Sequence, residues 1–374
     1  MLAGESALFR GVLLGQRQQG KTNLLQQVRR QLFERAEGPI PFFYAFPHGA
    51  DGAVLARNFV AAFCRQARAF LMRGEELLLE PSGPLEREME QPGLPLSLAE
   101  LAREMLASPA GHAEELVSRL PSRFAHREGR PVCLLLDETH VLAPDSPFFA
   151  ALNASDSCWL LAGRLPFLLQ RAGEAAWPVV RLEPFSLEES LTIAENRCRG
   201  AGLNFSKTTW QQWFELAGNS PWLIGLLVQA AAVAAESLDD VEQLGRVYVR
   251  ELTTGTLGNW LHVRWQRAVP DRRERALVLE SLWNSIRGTV PSSVITSLAP
   301  GLWDGLIAEE WAEETPPGPQ LSLNCVEKDW LETWADSAAS LERRQTRLLE
   351  AFRQRAEQAC RARHRTAHDT EPDG

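Results

Sequence analysis

Largely apolar runs recur at residues 8–14, 41–46, 132–136, 159–162 and 179–182, separated by longer stretches of mixed or helix-forming composition. A run that is apolar at nearly every position suits a strand covered on both faces, and helices between successive runs supply the covers. The pattern predicts an α/β core of repeated β-α units around a parallel sheet. Residues 22–32, rich in Leu, Gln and Arg, form the helix expected after the first strand. Between 74 and 109 the chain turns acidic and is punctuated by Pro and Gly, which predicts a surface excursion or, less often for such a composition, a partner site.

Beyond the last run the pattern becomes helical. Ser186, two residues after the break at Pro184 and three before Glu189, has the form of a capped helix start. Helices are expected at 273–283, from about 291, and at 301–308, followed by extended segments from 311 and at 320–325 across the turn Thr315-Pro316-Pro317-Gly318-Pro319. Three helices and a hairpin predict a winged-helix-like domain. In 341–362, Leu348, Leu349, Phe352 and Ala356 recur at three- and four-residue spacings among arginines, which predicts an amphipathic C-terminal helix, with disorder after Thr366. The domains expected are a core over 1–185, a helical segment over 186–240, the winged-helix-like part over 241–338, and the arginine-rich helix and tail over 339–374.

Charge narrows the partners. A formal net charge of −9 and a pI near 5.5 give no global attraction to nucleic acid or an anionic membrane surface. Between Asp304 and Asp336 every charged residue but Lys328 is acidic, so protein contact or regulation is the role expected there. The last helix is the segment best suited to DNA, through Arg343, Arg344, Arg347, Arg353, Arg355, Arg361, Arg363 and Arg365, although Glu342, Glu350 and Glu357 dilute it and packing on the neighbouring domain is the favoured expectation. The cysteines form no CxxC pair, Glu5 stands where an export signal would be apolar, and 221–235 is shorter than the roughly 20 residues that span a bilayer, so a cytoplasmic protein is expected. Cys360, His364 and His368 share a helical face near the terminus, where an idle set is expected over a metal site.

Candidate chemistry closes two of the apolar runs. The first ends in Gly15-Gln16-Arg17-Gln18-Gln19-Gly20-Lys21-Thr22, which fits G-x-x-x-x-G-K-[ST] between a strand and a helix. In that motif backbone N–H groups and the helix N-terminus face an anion, the lysine reaches the β- and γ-phosphates and the hydroxyl holds Mg²⁺. Gly15, Gln18, Gln19, Gly20, Lys21, Thr22 and Asn23 are the expected nucleotide contacts. Lysine is scarce, at 21, 207 and 328 only, which makes its presence here more informative. The third run ends in Asp137-Glu138. Asp137 is expected to bind Mg²⁺ through water, and Glu138 to polarise an attacking water as general base. ATP and Mg²⁺ are the expected cofactors and slow ATP hydrolysis the expected reaction.

With these motifs in place, the sequence resembles the AAA+/STAND group of P-loop ATPases, bacterial and archaeal proteins related to origin-recognition and signalling switch ATPases, over the part preceding the winged-helix-like region. The resemblance implies that Arg164, in "LLAGR", is a γ-phosphate sensor and that Arg171 stands near the place of an arginine finger. It also implies a helical lid from about Ser186, with the stretch Gly218-Asn219-Ser220-Pro221 similar to the family's G-G-x-P segment. Pro221 would then lie against the base, with Asn219 taking the left-handed conformation of the missing glycine. A nucleotide-driven switch that acts through protein partners or self-association follows from the resemblance. The alternative is an ATP-regulated DNA-binding protein of the replication-initiator type, using the winged helix and the arginine-rich tail.

Overall fold

The computed structural model describes residues 9–369 except 16, 36, 48–51, 79–82, 108–112, 143–145, 156, 288–299, 317 and 336–338. Contacts divide the chain into two compact units, Met1–Glu183 and Pro184–Gly374.

The first unit is built on β1 (Arg10–Leu14), β2 (Ile40–Ala45), β3 (Val132–Asp137), β4 (Cys158–Ala162) and β5 (Val179–Arg181), all parallel and ordered β2-β3-β4-β1-β5. Each apolar run becomes a strand, with ends shifted by a residue or two; Leu8 lies outside the described residues. Val12 to Leu14 and Leu134 to Leu136 are buried at every position, as a sheet covered on both faces requires. The covers are α1 (Lys21–Arg35), α2 (Gly52–Met72), α3 (Leu85–Met89), α4 (Leu96–Leu106), α5 (Ala113–Glu128), α6 (Pro147–Asn153) and α7 (Leu165–Ala175). Phe42 of β2 meets Phe59 and Phe63 of α2 edge-on, with ring centroids 4.9 and 5.1 Å apart. The edge of β2 is closed by Gln66, whose amide accepts from Phe43 N at 3.0 Å and donates to Phe43 O at 2.8 Å. That clamp occupies backbone groups that would otherwise template another strand.

The acidic stretch at 74–109 is not the surface excursion its composition predicts. Leu85, Leu98, Leu101 and Ala102 are buried in the same core as Phe59 and Phe63. Most of the acids face outward, where Glu86 meets Arg57, Glu100 meets Arg127 and Glu104 meets Arg123, while Glu88 is buried and accepts from Gly83 N. Composition reported the solvent face, and the leucine spacing reported the buried one.

The second unit contains α8 (Leu187–Gly200), α9 (Lys207–Ala217), α10 (Pro221–Ala234), α11 (Val241–Thr253), α12 (Thr256–Ala268), α13 (Arg272–Ile286), α14 (Pro300–Ala308), β6 (Ala312–Thr315), β7 (Gly318–Leu321), α15 (Cys325–Ala335) and α16 (Leu341–Asp369). Ser186 and Glu189 form a reciprocal capping box at the start of α8. One core runs through Trp210, Trp213, Tyr248, Trp265, Trp311, Trp330 and Phe352, so 186–240, 241–338 and α16 share it. β6 and β7 pair as an antiparallel hairpin after α13 and α14, and the helix expected from 291 begins outside the described residues. The helix α16 continues to Asp369, three residues past the point where disorder was expected, and Glu357 pairs with Arg361 at i,i+4 within it. The side chains of Cys360, His364 and His368 lie outside the described residues.

Candidate functional site

Because all five strands are parallel, their C-terminal ends lie on one edge of the sheet. β4 lies between β3 and β1, so the loop after Leu14, the pair Asp137-Glu138 and the pair Gly163-Arg164 converge on one rim. Sequence positions more than a hundred residues apart meet there through strand order alone.

The loop turns at Gln18 and Gly20, whose φ angles are +66° and +87°. A Cβ on Gly20 would meet nothing within 4 Å, so backbone conformation and not space demands glycine there. At Gly15 space decides: a Cβ would lie 2.8 Å from Gln19 Oε1 and 3.2 Å from Leu182 Cβ. α1 opens at Lys21, and the N–H groups of its first turn are those a helix leaves for outside partners. Gln18 and Gln19 are half-buried in the loop, and Asn23 is exposed in the first turn.

Lys21 Nζ donates to Gly15 O at 2.8 Å, folding the ammonium back over the loop. Thr22 Oγ1 donates to Asp137 Oδ2 at 2.5 Å, and Asp137 Oδ1 accepts from Glu138 N at 2.9 Å. Asp137 is 2% exposed, and burial raises its pKa against the lowering effects of Thr22, the Glu138 N–H and Lys21. A desolvated carboxylate joined to a hydroxyl beside an ammonium is an oxygen donor set suited to a hard divalent cation with a polyphosphate. The residues present fit Mg²⁺ and a nucleoside triphosphate.

Glu138 turns out of the strand end with φ +55° and ψ +30°, leaving its side chain 43% exposed at the rim. Beneath it His140, 6% exposed, brings Nε2 to 3.5 Å from Glu138 Oε2. His140 escaped the sequence reading; its only signal was a polar residue two places after the acid. Thr139 Oγ1 donates to Ala162 O at 3.0 Å, tying the end of β3 to the end of β4. Gly163 lies against this turn, where a Cβ would come within 3.1 Å of Thr139 Oγ1 and 3.3 Å of His140 N. Arg164 follows at the N-cap of α7, half-buried.

Arg171 packs within its own unit, its guanidinium 5.3 Å from the Phe149 ring centroid and paired with Glu174 at 3.3 Å. One position differs from expectation. Asn219 is not left-handed; Gly218 makes the turn with φ +78°, and the Asn219 amide donates to the Phe185 carbonyl. A glycine bends at lower steric cost than asparagine, which frees the amide to tie the start of the second unit. Pro221 is the first residue of α10 in that unit, after the N-cap Ser220.

No protein-family model matches the sequence, and no curated protein matches it. Among solved structures, a Walker-type ATPase of Pyrococcus abyssi superposes with a TM-score of 0.51 and 14% identity over 86% of this chain and 90% of its own. Cdc6p from Pyrobaculum aerophilum gives a TM-score of 0.41 with 15% identity over 91% of this chain and 88% of its own. A RuvB mutant from Thermotoga maritima gives 0.36 with 11% identity over 84% and 85%. The first likeness bears on fold alone, and the looser two add no argument. The chain has an α/β fold, a five-stranded parallel sheet ordered β2-β3-β4-β1-β5 followed along the sequence by a helical C-terminal unit, and it shares this fold with the Walker-type ATPase.

Proposed function

We propose that the chain is an ATP-binding and ATP-hydrolysing molecular switch of the AAA+/STAND type that controls assembly with protein partners. The observation that carries this reading is the Thr22–Asp137 hydrogen bond, which joins the phosphate-type loop to the acidic strand end at 2.5 Å. Lys21 and the N–H groups opening α1 would hold the phosphates, while Thr22 and Asp137 would hold Mg²⁺, whose charge offsets that of the phosphoryl oxygens. Glu138, exposed at the rim beside His140, would orient a water and take its proton. Arg164 would sense the γ-phosphate, and Pro221 would contact the base from the lid. A cytoplasmic location accords with the fact that, among the described residues, no helix is long and apolar enough to cross a membrane.

Protein partners, or further copies of the chain, are favoured over DNA by the charge arrangement. Arg353 pairs with Glu242 at 2.6 Å and Arg355 grips both oxygens of Asp329, so these arginines of α16 serve the packing of their own unit. The hairpin carries Glu313 and Glu314 where a DNA-reading wing would need positive charge. Calorimetric titration tests the loop's role: Mg²⁺-dependent binding of ATP at the loop is expected for the full chain and is expected to be lost in Lys21→Ala, and Mg²⁺-independent binding indifferent to Lys21 would refute it.

A further inference from the structure

Two cavities within the second unit share Trp283 as a common wall. The larger, about 820 Å³, is lined by Trp265, Trp334 and His262 together with Arg272, Arg275 and one acid, Glu280. His262 lies flat on Trp334, with ring centroids 5.1 Å and planes 12° apart, and its Nε2 is 2.8 Å from Gln266 Nε2. Burial, and then Arg275, lowers the His262 pKa, so at neutral pH this wall is an uncharged aromatic surface. Trp334 remains 38% exposed, an unusual state for a tryptophan in a unit that buries most of its aromatic rings.

The second cavity, about 480 Å³, is lined by Arg287, Arg344 and Arg347 with Thr333 and one acid, Glu332. Arg287 stands over Trp283 at 5.6 Å, and Arg344 donates to Thr333 O at 3.3 Å while its Nε is buried with no partner among the described residues. Glu332 is the one acid among them: burial and the nearby Asp329 raise its pKa, and Arg355, Arg287 and Arg347 lower it. Three guanidinium groups around a depression form a phosphate-type site.

We infer that these paired cavities are a second nucleoside-phosphate site, made only of residues of the C-terminal unit, in which a base packs into the cavity walled by Trp265, Trp283 and the His262–Trp334 stack and its phosphates meet Arg287, Arg344 and Arg347. A bare phosphate would use the arginines and leave the indoles uncovered. An apolar ligand would cover the indoles and leave the arginines unused. A flat ring joined to a phosphoryl anion satisfies both, and the larger volume lies within the range of small-molecule sites. Free nucleotides and the nucleotides of a single strand share this chemistry; the separation of the two cavities by one indole favours a free mononucleotide, which needs one base site and one phosphate site.

The test uses the full chain carrying Lys21→Ala, which removes the loop lysine and leaves the C-terminal unit untouched. Equilibrium dialysis and tryptophan quenching with ATP, ADP, AMP and GMP should find about one equivalent still bound. Arg287→Gln with Arg347→Gln, both exposed positions, should weaken that binding at least about tenfold, and Trp334→Ala about tenfold. Thermal midpoints within a few degrees of the parent would establish that these variants fold. Absence of mononucleotide binding to folded Lys21→Ala protein, or binding unmoved by both the arginine and the Trp334 substitutions, would overturn the proposal. So would binding of a short single-stranded oligonucleotide without any of a mononucleotide. Failure of the loop reading looks different: binding in the unsubstituted chain would then be insensitive to Lys21 and still sensitive to Arg347.

Discussion

At Asp137 two requirements oppose each other, since the carboxylate must be buried to be positioned and burial disfavours its charge. Its folded-state pKa is raised by burial, so the folded protein binds this proton more tightly than the unfolded chain does. The corresponding stability is present at pH below the ordinary carboxylate range and is lost as pH rises through the raised value. Thermal midpoints of the metal-free protein should therefore fall as pH rises across that window, Asp137→Asn should flatten the dependence, and Mg²⁺ with ATP should restore stability at neutral pH. A dependence identical in Asp137→Asn would contradict the assignment. The loop and the acid pair were legible in the sequence because their spacing is set by local backbone geometry. His140 and the Asn219 amide were not, because one depends on a turn packed under Gly163 and the other on a carbonyl 34 residues earlier in the chain.

The central strand runs were readable from composition, since a strand such as β3 is buried on both faces and has no polar position before Asp137 to obscure it, whereas the edge strand β5 is exposed and showed only as a short Val-Val run. The helices at 85–106 were misread for the opposite reason: their glutamates dominate a composition window although their leucines determine where they pack. Close approach of helices was equally hidden. Gly305 of α14 lies so near α12 that an added Cβ would land on the Ala268 carbonyl oxygen, which is backbone and cannot swing away. Gly305→Ala should cost roughly 1–3 kcal/mol in denaturant unfolding, as overpacked contacts do, whereas Gly301→Ala on the same helix, where nothing lies within 4 Å of an added Cβ, should be tolerated. Equal effects at the two positions would count against this packing.

Across the whole molecule, the second unit is held by buried charge as well as by tryptophan. Arg264 and Glu327 pair at 2.7 Å with side chains 4% and 5% exposed, and the guanidinium lies 4.8 Å from both the Trp260 and Trp311 rings. Glu327 also closes the reciprocal cap with Asn324 at the start of α15. Removing one member leaves the other buried without its partner, so Glu327→Leu should destabilise the unit by about 3–5 kcal/mol in a denaturant melt; a loss below about 1 kcal/mol would place the pair in water. Nucleotide held at the loop should raise the first unit's melting transition with the logarithm of its concentration once that exceeds the dissociation constant. The central claim, that the rim of the sheet hydrolyses ATP, is tested most directly by phosphate release from ATP with Mg²⁺, for the parent chain and Glu138→Gln, over a series of protein concentrations. The expected result is slow turnover that rises with concentration and falls at least about a hundredfold in the variant while ATP is still bound. Turnover equal in the two proteins, or none in the parent at any concentration despite ATP binding, would contradict it.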